Sequence, residues 1–187
     1  MAQKNVPADP LDFGLTSFAD VLPKRDTIPG EEAGSFAVFQ AQLMRTLTPF
    51  TPYEFVVAEN LISIEWEILQ HRKMRERCLR NLLGKEIEKE LAKFRGYDRG
   101  REGPELSELT KRALEPDPDI ASKAHQELEE IGIDLLDLMG KSVSSMNYDL
   151  HFHEIKLPQL ETRRRQVKSD FDALQKARPI PAELVVE

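Results

Sequence analysis

The stretch TPYEFVVAENLISIEWEILQHRKMRERCLRNLLGKEIEKELAKFR, residues 51–95, decides the fold class. It opens on Thr51-Pro52-Tyr53-Glu54, which supplies an N-cap hydroxyl, a proline in the first helical turn and a glutamate placed to bond back to the cap. Behind it Val57, Leu61, Ile64, Ile68, His71, Arg75, Cys78 and Leu82 alternate by four and three, so one seam runs down a single helix. Phe55, Ile62, Leu69, Leu79 and Leu83 widen the buried face, and Leu83, Ile87, Leu91 and Phe94 carry an apolar stripe past Gly84. A mid-helix glycine costs about 1 kcal/mol, which the good helix formers Lys85, Glu86, Glu88, Lys89 and Glu90 offset. Unbroken from 52 to 95, this helix is roughly 65 Å long at about 1.5 Å per residue. A compact domain of this size is about 40 Å across, so an elongated molecule is expected.

A second pattern runs from Val143 to about Ala177. Met146, Leu150, His153, Leu157, Leu160, Arg164, Val167, Phe171 and Leu174 keep the same alternation through Pro158, which predicts a kink there rather than a stop. Phe36, Phe39, Leu43 and Leu47 predict an earlier helix led by Glu31 and Glu32 and ending near Thr48-Pro49. Gly96 to Gly103 reads as a loop, and residues 104–115 as a short helix with Leu106, Leu109 and Ala113 on one side. After Glu115-Pro116-Asp117-Pro118, Ile120–Ile131 and Asp134–Met139 read as two helical pieces around Gly132. No strand-like alternation or internal repeat is evident. The expected fold is all-α, with two long amphipathic helices forming an elongated antiparallel hairpin or bundle with shorter helices. An irregular proline-bearing arm is expected over 1–30, the helical domain over 31–177, and a tail over 178–187 that ends in Leu184-Val185-Val186.

The chain has 187 residues, 40% of them hydrophobic, enough for one domain with a real core. Its 33 acids and 26 bases give a net charge of −7, so any site for an anion must be local. The one cysteine, Cys78, makes no internal disulfide; with no apolar targeting run at the start, a cytoplasmic setting is expected. No apolar run approaches the roughly 20 residues of a membrane helix.

Little catalytic chemistry is legible. Gly140-Lys141-Ser142 imitates the end of a phosphate-binding loop, but leucine stands at 135 where the earlier glycine belongs, and no strand precedes it. Carboxylate-bridged di-metal bundles place Glu three residues before His. The residues three before His71, His125, His151 and His153 are Ile68, Ser122, Tyr148 and Leu150. His151 and His153 lie about 200° apart on a helix, so His153 reads as a seam residue and His151 as a surface one. Cys78 reads as structural. A helix-turn-helix reading of 124–141 fails on Leu128, where a small residue belongs, and on a second helix without base-reading side chains. A non-enzyme without cofactor or metal is expected.

Two basic clusters remain: Arg72, Lys73, Arg75, Arg77 and Arg80, and Arg163, Arg164, Arg165 with Lys168. Antiparallel packing of the long helices would bring them near each other as a positive patch. The plainer alternative is a solvated face whose arginine stems cover apolar surface. His71, Arg75, His153 and Arg164 occupy seam positions, so they must be paired, exposed at a solvent gap or turned toward a partner. A binding role is expected for Arg75 and Arg164. The leading expectation is a protein-protein interaction or self-association module. The alternative is an accessory nucleic-acid binder of a mobile element or phage-packaging system, contacting phosphates through the arginines. No membrane partner is expected.

Ile28-Pro29-Gly30-Glu31-Glu32, then Phe36 and Phe39, Leu47-Thr48-Pro49, Thr51-Pro52-Tyr53-Glu54, Glu65-Trp66 and Arg72 together resemble a widespread family of uncharacterised small bacterial proteins. In that family an L-P-G-E-D segment precedes a short helix, a P-x-T-P-x-E cap and a tryptophan-bearing helix with arginines. Members usually carry an upstream basic G-P-x-T-x-x-G-K stretch ending in H-G-L-T; here only Gly14-Leu15-Thr16, after Phe13, is similar. The resemblance covers about residues 13 to 80 and implies a fold type and a bacterial cytoplasmic setting, with no catalytic activity attached.

Overall fold

The computed structural model describes residues 9–22, 31–95, 103–144 and 147–178. Among the described residues six α-helices carry the architecture: α1 (Ser35–Leu47), α2 (Pro52–Arg95), α3 (Gly103–Ala113), α4 (Pro118–Glu130), α5 (Leu135–Ser144) and α6 (Tyr148–Lys176). No strand occurs among the described residues, and the fold is all-α, as the seams predict. The loop expected over 96–103 falls almost wholly outside the described residues, as do Met146, the side chains of Phe94 and Leu106, and the tail after Arg178.

The chain divides into two compact units, Met1–Gln70 with Leu157–Glu187, and His71–Lys156. Both long helices contribute to each. In the first unit Ile64 and Ile68 of α2 are buried against Leu160 of α6, with Leu157 and Val167 packed around them. Helices α2 and α6 run antiparallel there: Glu54 near the start of α2 meets Arg178 just past the end of α6, whereas Ile68 meets Leu160.

The start of α2 follows its cap chemistry. Glu54 N–H donates to Thr51 Oγ1 at 3.2 Å, and the Glu54 carboxylate accepts from the backbone N–H groups of Phe50 and Thr51. Tertiary structure adds what local sequence lacks. Arg178 donates to both carboxylate oxygens of Glu54, at 2.9 and 2.6 Å, and to the Thr48 carbonyl at 3.1 Å. Its guanidinium carbon lies 5.0 Å from the Phe50 ring centroid. Glu54 is only 3% exposed. Burial pushes its pKa up, but Arg178 and the two N–H groups outweigh that and hold it below the ordinary glutamate range.

Helix α1 begins at Ser35, not at Glu31, because Gly34 lies in the left-handed region at φ 83° and sets the entry to the helix. Glu31 has another use: its carboxylate accepts from Trp66 Nε1–H on α2. Phe36 and Phe39 pack on the same indole, with ring centroids 5.5 and 5.2 Å away. The far end of α1 is held by Gln175 of α6, which donates to the Leu47 carbonyl at 2.8 Å. Residues 9–22, expected as irregular, form two short 3₁₀ turns, Pro10–Phe13 and Phe18–Val21, the first capped by Asp9.

In the second unit, Ile87 and Leu91 of α2 form one core with Leu109 and Ala113 of α3, Ala124 and Leu128 of α4, and Ile133 and Leu138 of α5. Gly84 is buried beneath α3. A Cβ there would stand 2.9 Å from Leu114 Cδ1, so the glycine admits a close helix approach within an otherwise strong helical run. Helix α4 ends in a paired-bond cap: Ile133 N–H donates to Leu128 O and Gly132 N–H to Glu129 O, both at 2.9 Å, with Gly132 at φ 80°. Gly140-Lys141-Ser142 lies inside α5, where buried Ser142 donates to the Leu138 carbonyl.

The boundary between α5 and α6 also differs from the periodicity, and α5 runs on to Ser144, past the expected end at Met139. Val143 belongs to α5, and α6 starts at Tyr148, where Asn147 Oδ1 accepts from Leu150 N–H at 3.0 Å. The helix then runs without interruption through Pro158.

Candidate interaction groove

The two basic clusters fall in different units: Arg72 to Arg80 in the second, Arg163 to Lys168 in the first. Within the second, Arg75 pairs with Glu154 of α6 at 3.2 Å and Arg80 with Glu76 one turn before it. Arg72, Lys73 and Arg77 are exposed. Within the first, Arg163 donates to Asn60 Oδ1 and Arg164 pairs with Glu65, each at 3.3 Å, and Lys168 pairs with Asp172 along α6. Among the described residues Arg165 donates only to its own helix, to the Glu161 carbonyl and the Thr162 hydroxyl, at 3.4 and 3.5 Å. The two seam arginines, Arg75 and Arg164, are thus each paired with a glutamate on the other long helix. These pairs are partly exposed, where such contacts contribute about 0 to 1 kcal/mol.

The seam histidines meet each other in the second unit. His71 Nδ1 and His153 Nδ1 are 2.9 Å apart, with His153 buried and His151 exposed. Such a contact needs one nitrogen to carry a proton and the other to accept it, so at least one imidazole in the pair is neutral. Phe152 packs beside both rings, tilted to His71 and edge-on to His153. A shallow cleft of about 460 Å³ opens here, with Met74, Cys78, Phe152 and His153 among its walls.

A larger feature lies in the first unit, where α1, α2 and α6 enclose an open groove of about 670 Å³. Its floor is aliphatic: half-buried Leu43 and Leu47 from α1 and exposed Ala173 from α6, over Leu61 and Ile62 of α2, which are themselves buried. The gap has a local cause. The aromatic cluster on Trp66 packs α1 at its N-terminal half, whereas farther along α6 presents the small side chains Ser169 and Ala173 to the space beside Leu43 and Leu47. Cations dominate the rim. Arg164, Arg165, Lys168 and Lys176 stand there with the two carboxylates Glu65 and Asp172, in a chain of net charge −7.

Arg164, Arg165 and Lys168 were legible candidates from sequence; Lys176 and the apolar floor were not. Lys176 stands apart from the arginine run, and the floor exists only where three helices meet. The sole sequence trace is the small pair Ser169 and Ala173, one turn apart on a helix otherwise rich in long side chains.

Among the described residues no three His, Cys, Asp or Glu side chains converge as a group able to hold a metal ion, and no helix is long and apolar enough to cross a membrane. No protein-family model matches the chain, and no curated protein or solved structure matches it.

Proposed function

We propose that this chain is a non-catalytic helical interaction module that binds another protein, or a second copy of itself, through the groove of the first unit. The observation that carries this reading is the open aliphatic floor between α1, α2 and α6, rimmed by charge. Apolar surface left in a groove of this shape is what an amphipathic helix covers when it docks. A bacterial cytoplasmic setting belongs to the proposal and rests on the single cysteine and the family resemblance.

Phosphate contact through the arginines is the competing reading. Against it, Arg75, Arg80, Arg164 and Lys168 already face carboxylates, which a polyanion would have to displace. Filling the groove with Ala173→Trp tests the proposal. The variant is expected to keep its helicity and lose self-association in sedimentation, or lose its partner in a pull-down. Retention of both overturns the proposal. A mobility shift on nucleic acid with a steep dependence on salt supports the competing reading.

A further inference from the structure

Charge placement along α6 says more about the occupant. Arg165, Lys168, Asp172 and Lys176 are spaced by three, four and four, so at about 100° per residue they form one stripe on the groove's edge. In the middle of the stripe Lys168 and Asp172 neutralise each other. At its two ends Arg165 and Lys176 form no ion pair among the described residues. They are eleven positions apart, three turns of helix and about 16 Å.

We infer that the groove takes an acidic amphipathic helix of about three turns, with a carboxylate near each end. This rests on the interaction reading above and adds the partner's chemistry to it. Three turns of a partner helix match the spacing of the two unpaired cations, and acids eleven positions apart on that helix fall on one face by the same arithmetic. Apolar side chains between them, at helical spacing, cover Leu43, Leu47 and Ala173. An anion with a single headgroup answers only one end of the stripe. Nucleic acid fits the floor poorly, since no aromatic side chain lines it for a base to stack on.

The probe is a fluorescent amphipathic peptide of about four turns, with leucines on one face and glutamates eleven positions apart flanking them. A second peptide carries lysines in place of those glutamates. Anisotropy is read on the full chain and on the Arg165→Glu/Lys176→Glu variant. Both replaced residues are exposed, and circular dichroism verifies the variant's fold. The glutamate peptide is expected to bind the natural chain and to lose about tenfold in affinity on the variant, with the lysine peptide showing the opposite order. Equal binding of the two peptides, or no binding of either, overturns the acidic-helix inference. The interaction reading is judged separately by Ala173→Trp: peptide binding that survives this substitution removes the groove from both.

Discussion

Replacing Arg178 with Met tests the ion pair that ties the start of α2 to the end of α6 in the first unit. Methionine keeps much of the apolar stem but removes the guanidinium that bonds both oxygens of Glu54 and the Thr48 carbonyl. Glu54 is 3% exposed in the natural chain, so losing the guanidinium leaves a carboxylate in a poorly solvated site with the Phe50 and Thr51 N–H groups for support. Breaking a buried pair from one side costs about 3 to 5 kcal/mol. The two remaining donors place the expectation at about 3. Adding Glu54→Gln removes the stranded charge and should recover at least about 1 kcal/mol, a coupling within the usual range for contacting residues.

The pH dependence follows from the direction of the Glu54 shift. With its folded pKa below the ordinary glutamate range, Glu54 contributes stability that is fully present above that range and is lost as pH falls through the folded value. In Arg178→Met, burial is opposed by fewer groups, so the folded pKa rises and protonation becomes less costly. The stability gap between the natural chain and the variant is therefore largest near neutrality and narrows in acid. Trp66, the one tryptophan, sits in this same unit and reports its unfolding by fluorescence in urea. A gap below about 1 kcal/mol, or one independent of pH, would refute the reasoning.

Three further outcomes are expected. Thr51→Ala removes the acceptor for Glu54 N–H and should lower stability by about 1 kcal/mol in the same fluorescence titration. Gly132→Ala forces a Cβ into a left-handed φ of 80° and should cost about 1 to 2 kcal/mol, read by thermal melting of the helical signal. His71→Ala deprives the buried His153 Nδ1 of its 2.9 Å partner and should cost about 1 to 3 kcal/mol, while His71→Ala combined with His153→Ala costs less than the sum of the single changes. Additive losses would show that the two rings act independently.

Much of this was legible because apolar side chains repeat with helical period. The seam from Val57 to Leu82 and the stripe through Ile87 and Leu91 gave α2 its full extent, and Thr51-Pro52 fixed its start to the residue. Where the reading slipped, a short-range interaction overrode the period. The spacing of four and three passes smoothly across Asn147, yet its side chain caps a new helix and separates Val143 from α6. Glu31 and Glu32 suit a helix start, yet Gly34 adopts a conformation that delays it. The polar seam residues were visible as exceptions. Their partners, Glu154, Glu65 and a second histidine, lie roughly 80 to 100 residues away, and periodicity does not encode such pairings. The groove was least legible, because an absence of packing between three helices leaves no local pattern.

The most direct test of the interaction account is photo-crosslinking from the groove itself. A photoreactive side chain is placed at Ala173 on the groove floor, and for comparison at Lys123, an exposed position on α4 in the other unit. The account predicts a discrete protein adduct from position 173, either with a second copy or with one other polypeptide, abolished by Leu43→Arg, and no such adduct from position 123. Crosslinking to nucleic acid, or indistinguishable patterns from the two positions, would contradict it.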